Sequence, residues 1–70
     1  MIPLGFAEIG KECVIKKIGG SAEVRKHLEN LGFSVGGSAT VINFVGGNVI
    51  VKVKESRVAL DSGIANKIMI

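Results

Sequence analysis

Apolar positions recur along this chain with two different spacings. Val24, Leu28 and Leu31 stand at i, i+4 and i+7, one stripe of an amphipathic helix. Val49, Val51 and Val53 instead alternate with Lys52 and Lys54, as on a strand with one dry and one wet face. The helical spacing predicts a helix over roughly Ser21 to Leu31. Ser21 can accept a hydrogen bond from a free N–H of the first turn, and Gly32 supplies a left-handed stop. With Gly32 at C′, Phe33 falls at C″ and Leu28 at C3, the two positions whose side chains meet in a Schellman ending.

The remaining elements read as short strands. Glu12-Cys13-Val14-Ile15-Lys16-Lys17-Ile18 is rich in β-branched residues and closed by Gly19-Gly20, although its two faces do not separate cleanly into polar and apolar. After the helix, Ser34 to Gly37 is a tight connector and Ser38 to Val45 opens the main sheet. Gly46-Gly47 between β-branched runs predicts a tight hairpin. Ile50 breaks the alternation of the following strand. It reads as filler beneath the helix or a loop, with a partner contact as the other reading. Glu55-Ser56 marks a turn, Arg57 to Leu60 a strand, and Asp61 the cap of a helical turn through Ile64, Ala65 and Asn66. Ile68-Met69-Ile70 is a last strand able to pair with the first. The whole is a mainly β domain spanning residues 1–70, a small SH3-like barrel of about five short strands with one inserted α-helix and a short helical turn before the last strand.

Composition adds limits rather than chemistry. At 70 residues and 47% apolar content, the chain can build a core without a metal or disulfide. Its one cysteine, Cys13, cannot pair internally, which fits a reducing compartment. Met1 to Leu4 lack the basic flank of a signal peptide, and no apolar run approaches the ~18 residues of a membrane span, so a soluble chain is expected. A net charge of +3 is a mild excess, spread over Lys16-Lys17, Arg25-Lys26 and Lys52/Lys54.

No catalytic residue emerges, because His27 has no local nucleophile and Ser21 is better explained as a helix cap. The glycine pairs do not match a phosphate loop, and no cofactor-binding residue is assigned. Glu23 and His27, at i and i+4 on one helix face, are the weak candidates for divalent metal, with Fe2+ as the ion and no cofactor required. Without Trp or Tyr the chain lacks the aromatic groove that binds Pro-rich peptides. Backbone contacts from Lys16, Lys17, Lys52, Lys54 and Arg57 keep nucleic acid as an alternative, with Phe6, Phe33 and Phe44 the only rings for stacking. A self-assembling module, a weak homo-oligomer, is the third reading, since short strand edges can pair across subunits.

Pro3-Leu4, Gly10 and Val14-Ile15-Lys16-Lys17-Ile18, then Lys26 to Gly36 with Leu28, Leu31-Gly32 and Gly36, then Val58-Ala59-Leu60, Ile64-Ala65 and Ile68-Met69-Ile70, resemble in order and spacing the FeoA family of ferrous iron transport proteins. Gly46-Gly47 stands where that family often has Pro-Gly, Glu55-Ser56-Arg57 where it has Gly-x-Arg, and Asp61 where a basic residue is frequent. The module also resembles the C-terminal domain of iron-dependent repressors, without a helix-turn-helix ahead of it. The resemblance implies a non-enzymatic, cytoplasmic accessory protein of bacterial ferrous iron uptake. Its partner would be the membrane transporter FeoB, through the cytoplasmic GTP-binding region, with membrane contact only through that partner. Phe44, Ile50, Lys52, Lys54 and Arg57 are the candidate partner-binding residues.

Overall fold

The structure is a computed structural model describing residues 1–70. A 3-10 turn over Leu4–Phe6 is followed by β1 (Glu12–Val14), β2 (Lys17–Ile18), α1 (Ala22–Asn30), β3 (Ser38–Val45), β4 (Asn48–Val53), β5 (Ser56–Asp61), α2 (Ser62–Ala65) and β6 (Ile68–Met69). Strands β1, β3, β4 and β5 form one antiparallel sheet in the order β1-β3-β4-β5, and β2 pairs with β6 in a second.

Glu12 to Ile18 is therefore two strands rather than one. The pairing partner changes at Ile15-Lys16, so that β1 pairs with β3 while the Lys16 N–H donates to the Met69 carbonyl and Lys17 lies opposite Met69. A single extended segment thereby serves both sheets, which is why its polar and apolar positions do not sort by parity. The barrel is drawn together beyond β6, where Ile2 and Ile70 exchange backbone hydrogen bonds of 2.9 and 2.8 Å.

Local signals fix both ends of α1. The Ser21 hydroxyl accepts from the Val24 N–H at 3.2 Å. At the other end Gly32 takes φ +107, its N–H donates to the Glu29 carbonyl, and the Phe33 N–H reaches back to the Leu28 carbonyl at 3.0 Å. This is the Schellman pattern, with Leu28 and Phe33 both fully buried. Asp61 caps α2 by accepting from the Gly63 N–H at 2.8 Å.

The hairpins close over two residues each. Val45 lies opposite Asn48, with Gly46 at φ +59 in the turn. Val53 lies opposite Ser56, which moves the expected Glu55-Ser56 turn to Lys54-Glu55. Lys54 there adopts φ +54, a left-handed conformation that an L side chain rarely takes.

One face of the four-stranded sheet carries the core. Ala39, Val41, Val49, Val51, Val53 and Leu60 meet Leu28 and Phe33 from the helix end, Leu4 and Ala7 from the N-terminal turn, and Ile15, Ala65 and Ile68. No polar or charged side chain is buried. The half-buried apolar side chains packed on this core include Cys13, Val24, Leu31 and Val58, and Ile50 is not among them. Ile50 is thus not filler beneath the helix.

Gly32→Ala tests the helix stop. A Cβ there would meet Lys54 and Val53 side chains at an ordinary 3.6 Å, so the backbone sets the cost. Forcing an L residue into this conformation should destabilise the protein by about 1–2 kcal/mol. The thermal midpoint should fall by roughly 4–8 °C for each of those kcal/mol, as measured by circular dichroism.

Candidate docking surface

The opposite face of the four-stranded sheet has no element of the chain packed over it, and its register can be read row by row. Glu12 lies opposite Thr40, Thr40 opposite Lys52, and Lys52 opposite Arg57. The next row is Asn43, Ile50 and Ala59, followed by Val45, Asn48 and Asp61. Glu12, Ser38, Thr40, Lys52 and Lys54 line a depression of about 340 Å3 at one end of this face.

The Lys52–Arg57 pair is the informative feature. Two like charges directly opposite each other on neighbouring strands destabilise a sheet, by about 0.2–1 kcal/mol. Both side chains are exposed, and Ile50 lies on the same face beside them. A surface optimised only for folding would place opposite charges across these strands. An anionic partner with an apolar contact, by contrast, would be complementary to what is there.

The structure brings Ile50, Lys52 and Arg57 together and treats the other candidates differently. Lys54 stands at the rim of the same depression, its stem passing close to Gly32 at the C-terminal end of α1, where a cation complements the helix dipole. Phe44 belongs to the other face. A bulge between Val41 and Asn43 inserts an extra residue, and beyond it Phe44 lies opposite Val49, a core position. Phe44 remains 44% exposed because it lies toward the turn end of β3. Of the other rings, Phe33 is wholly buried and Phe6 is 72% exposed on the N-terminal 3-10 turn, so the three phenylalanines form no common stacking groove. Glu23 and His27 are both exposed on α1, and no group of three or more His, Cys, Asp or Glu side chains is placed to hold a metal ion.

A second concavity of about 340 Å3 lies at the β1 edge, lined by Ile2, Lys11, Cys13, Val14, Lys16 and Ile70 among others. Sequence reading missed it because Ile2 and Ile70 are brought together only by closure of the barrel. No helix of the structure is long and apolar enough to cross a membrane.

A mainly β, SH3-like barrel with a wholly apolar interior and an exposed outer sheet face is the class of protein the fold defines. The FeoA domain family matches residues 2–70, and the chain belongs to that family, whose members are accessory proteins of ferrous iron transport. A Methanocaldococcus jannaschii protein named as an Fe(2+) transport protein A is 37% identical over 70 residues, which is all of this chain and 85% of that one. A crystal structure of an iron uptake regulatory protein, FeoA, superposes with a TM-score of 0.86 at 25% identity, covering 96% of this chain and 89% of the other. The solution structure of iron(II) transport protein A from Clostridium thermocellum superposes at 0.89, with 21% identity, over 97% of this chain and 43% of that one. At that identity it speaks for the fold alone.

Lys52→Glu separates folding from binding on this face. Replacing a like-charge pair with an opposite pair across β4 and β5 should raise the thermal midpoint at low salt, with a gain of about 0.2–1 kcal/mol. The gain should shrink at high ionic strength as the exposed charges are screened.

Proposed function

We propose that this protein is a cytoplasmic accessory subunit of ferrous iron uptake that binds an FeoB-type membrane transporter at its GTP-binding region. The observation that carries this reading is the Lys52–Arg57 pair beside Ile50 on an uncovered sheet face of a FeoA-family domain. The chain would be held at the inner face of the membrane through that partner. Its effect on transport would arise from unequal affinity for two transporter states, since a ligand shifts an equilibrium only by its differential binding. Fe2+ is the transporter's cargo, and this role asks no residue of the chain to carry it.

Affinity capture with the tagged chain from detergent-solubilised cells tests the partner. The expected result is retention of a ferrous transporter with a GTP-binding domain, competed by untagged protein. Retention of nucleic acid alone, washed off by salt, would favour phosphate-backbone binding and overturn the proposal.

Ile50→Glu tests the surface with the purified GTP-binding region. Burying a carboxylate against the partner should weaken binding by about tenfold or more, equivalent to about 1.4 kcal/mol. The thermal transition should be nearly unchanged, because Ile50 does not pack on the core. Unaltered affinity in a folded variant would move the contact elsewhere.

The metal question has its own readout. Glu23 and His27 supply only two ligands on an exposed helix face, so anaerobic calorimetry with Fe(II) should give the same weak trace for wild type and His27→Ala. A trace that saturates and is lost in the variant would show that the chain holds the ion itself.

A further inference from the structure

The outer edge of β5 is a six-residue strand edge that the fold leaves unpaired, and its charges are arranged to match themselves. β5 is terminal in the strand order, with Ser56 to Asp61 hydrogen-bonded only toward β4. Along an antiparallel ladder, hydrogen-bonded and non-hydrogen-bonded pairs alternate. The two-residue hairpin makes Val53–Ser56 a hydrogen-bonded pair, and the Ser62 N–H donating to the Gly47 carbonyl at 3.0 Å continues the same alternation beyond the strand. Arg57, Ala59 and Asp61 then lie in the non-hydrogen-bonded pairs, and their N–H and C=O groups point away from β4 to the open edge. All three residues are exposed.

We infer that this edge is a self-recognition surface, at which a second copy of the chain adds its own β5 antiparallel about a two-fold axis through Ala59. In that register Arg57 faces the partner's Asp61, Asp61 faces the partner's Arg57, and the small Ala59 side chains meet on the axis. Each facing pair exchanges both of its backbone hydrogen bonds. The charges select the register, because a shift that centres the axis on Arg57 sets two guanidinium groups face to face, and one centred on Asp61 sets two carboxylates so. On the core side of the sheet, half-buried Val58 gains the partner's Leu60 as a neighbour.

Charged residues on an edge strand ordinarily discourage pairing. Here their order along β5 is basic, small, acidic at alternate positions, which matches the chain's own reverse and disfavours the registers centred on either charged residue. The association is weak, because pairing along six residues covers much less than the ~800 Å2 per partner of a stable complex. It shares Arg57 with the proposed transporter contact but uses the strand edge, whereas that contact uses the sheet face with Ile50 and Lys52.

Sedimentation velocity on the purified full chain at low salt, up to about 1 mM, with amide exchange of Ala59 in parallel, tests the inference. The expected result is a sedimentation coefficient that climbs with concentration toward that of a dimer, with slower exchange of the Ala59 N–H. Arg57→Glu should abolish the climb, and Arg57→Glu combined with Asp61→Lys should restore it. Ala59→Pro, tolerated where the N–H faces outward, should abolish it as well. Ile50→Glu should leave it intact, which separates this result from the transporter reading. Asp61→Lys also removes the α2 cap, so thermal unfolding accompanies each variant. Should the double variant not fold, Arg57→Glu and Ala59→Pro decide the matter. A chain that stays monomeric at the highest concentration, or association indifferent to both of those variants, overturns the proposal.

Discussion

The reversal of the chain at Gly32 is the constraint on which the rest of the domain depends. A left-handed residue there ends α1 within one step and turns Phe33, the largest fully buried side chain, into the space beneath the four-stranded sheet. Leu28 enters the same space from the last turn of the helix. Val53 and Lys54 lie against Gly32, so the helix end and the β4–β5 hairpin hold each other in position. The inner sheet face is filled from this junction together with Leu4, Ala7, Ile15, Ala65 and Ile68, and the outer face is left without a covering layer. The residues it presents are free to answer to something other than folding.

The parts of the fold legible in the sequence were those with local causes. The cap at Ser21, the stop at Gly32, the Gly46-Gly47 turn and the Asp61 cap each act through backbone groups within a few residues of the signal. The parts that were not legible depend on pairing over longer distances. Glu12 to Ile18 reads as one strand because nothing in its composition records that its two halves belong to different sheets. Residue parity in β3 is reset by the bulge after Val41, which sends Phe44 to the core face although Asn43 and Ile50 share the outer one. The candidate surface was half legible for the same reason. Alternation in β4 placed Lys52 opposite in direction to the valines, but only the register shows that Arg57 stands directly across from it.

Separation of interior from exterior also leaves the exterior as the place where specificity is written. The core contains no polar or charged side chain. What varies over the exterior is instead the order of charges across strands. A like pair at Lys52–Arg57 and a self-matching series along β5 are both arrangements that side-chain composition alone would not distinguish from a solvated surface. Their meaning lies in which neighbour each charge is given.

Arg57 belongs to both arrangements, and this has a thermodynamic consequence. If its guanidinium is engaged by the partner copy's Asp61 across the β5 edge, it is less available to an anionic group lying on the sheet face. A ligand on the face must then either share the side chain or displace the pairing, and any difference in its affinity for the single and the paired chain is returned as a change in self-association. The sign of that coupling follows from geometry. An anion that reaches Arg57 competes with Asp61 and favours the single chain, whereas one confined to Ile50, Lys52 and Lys54 leaves the edge free and couples weakly. A small, rigid barrel can thus link its own assembly state to partner binding through one side chain, without any rearrangement of its core.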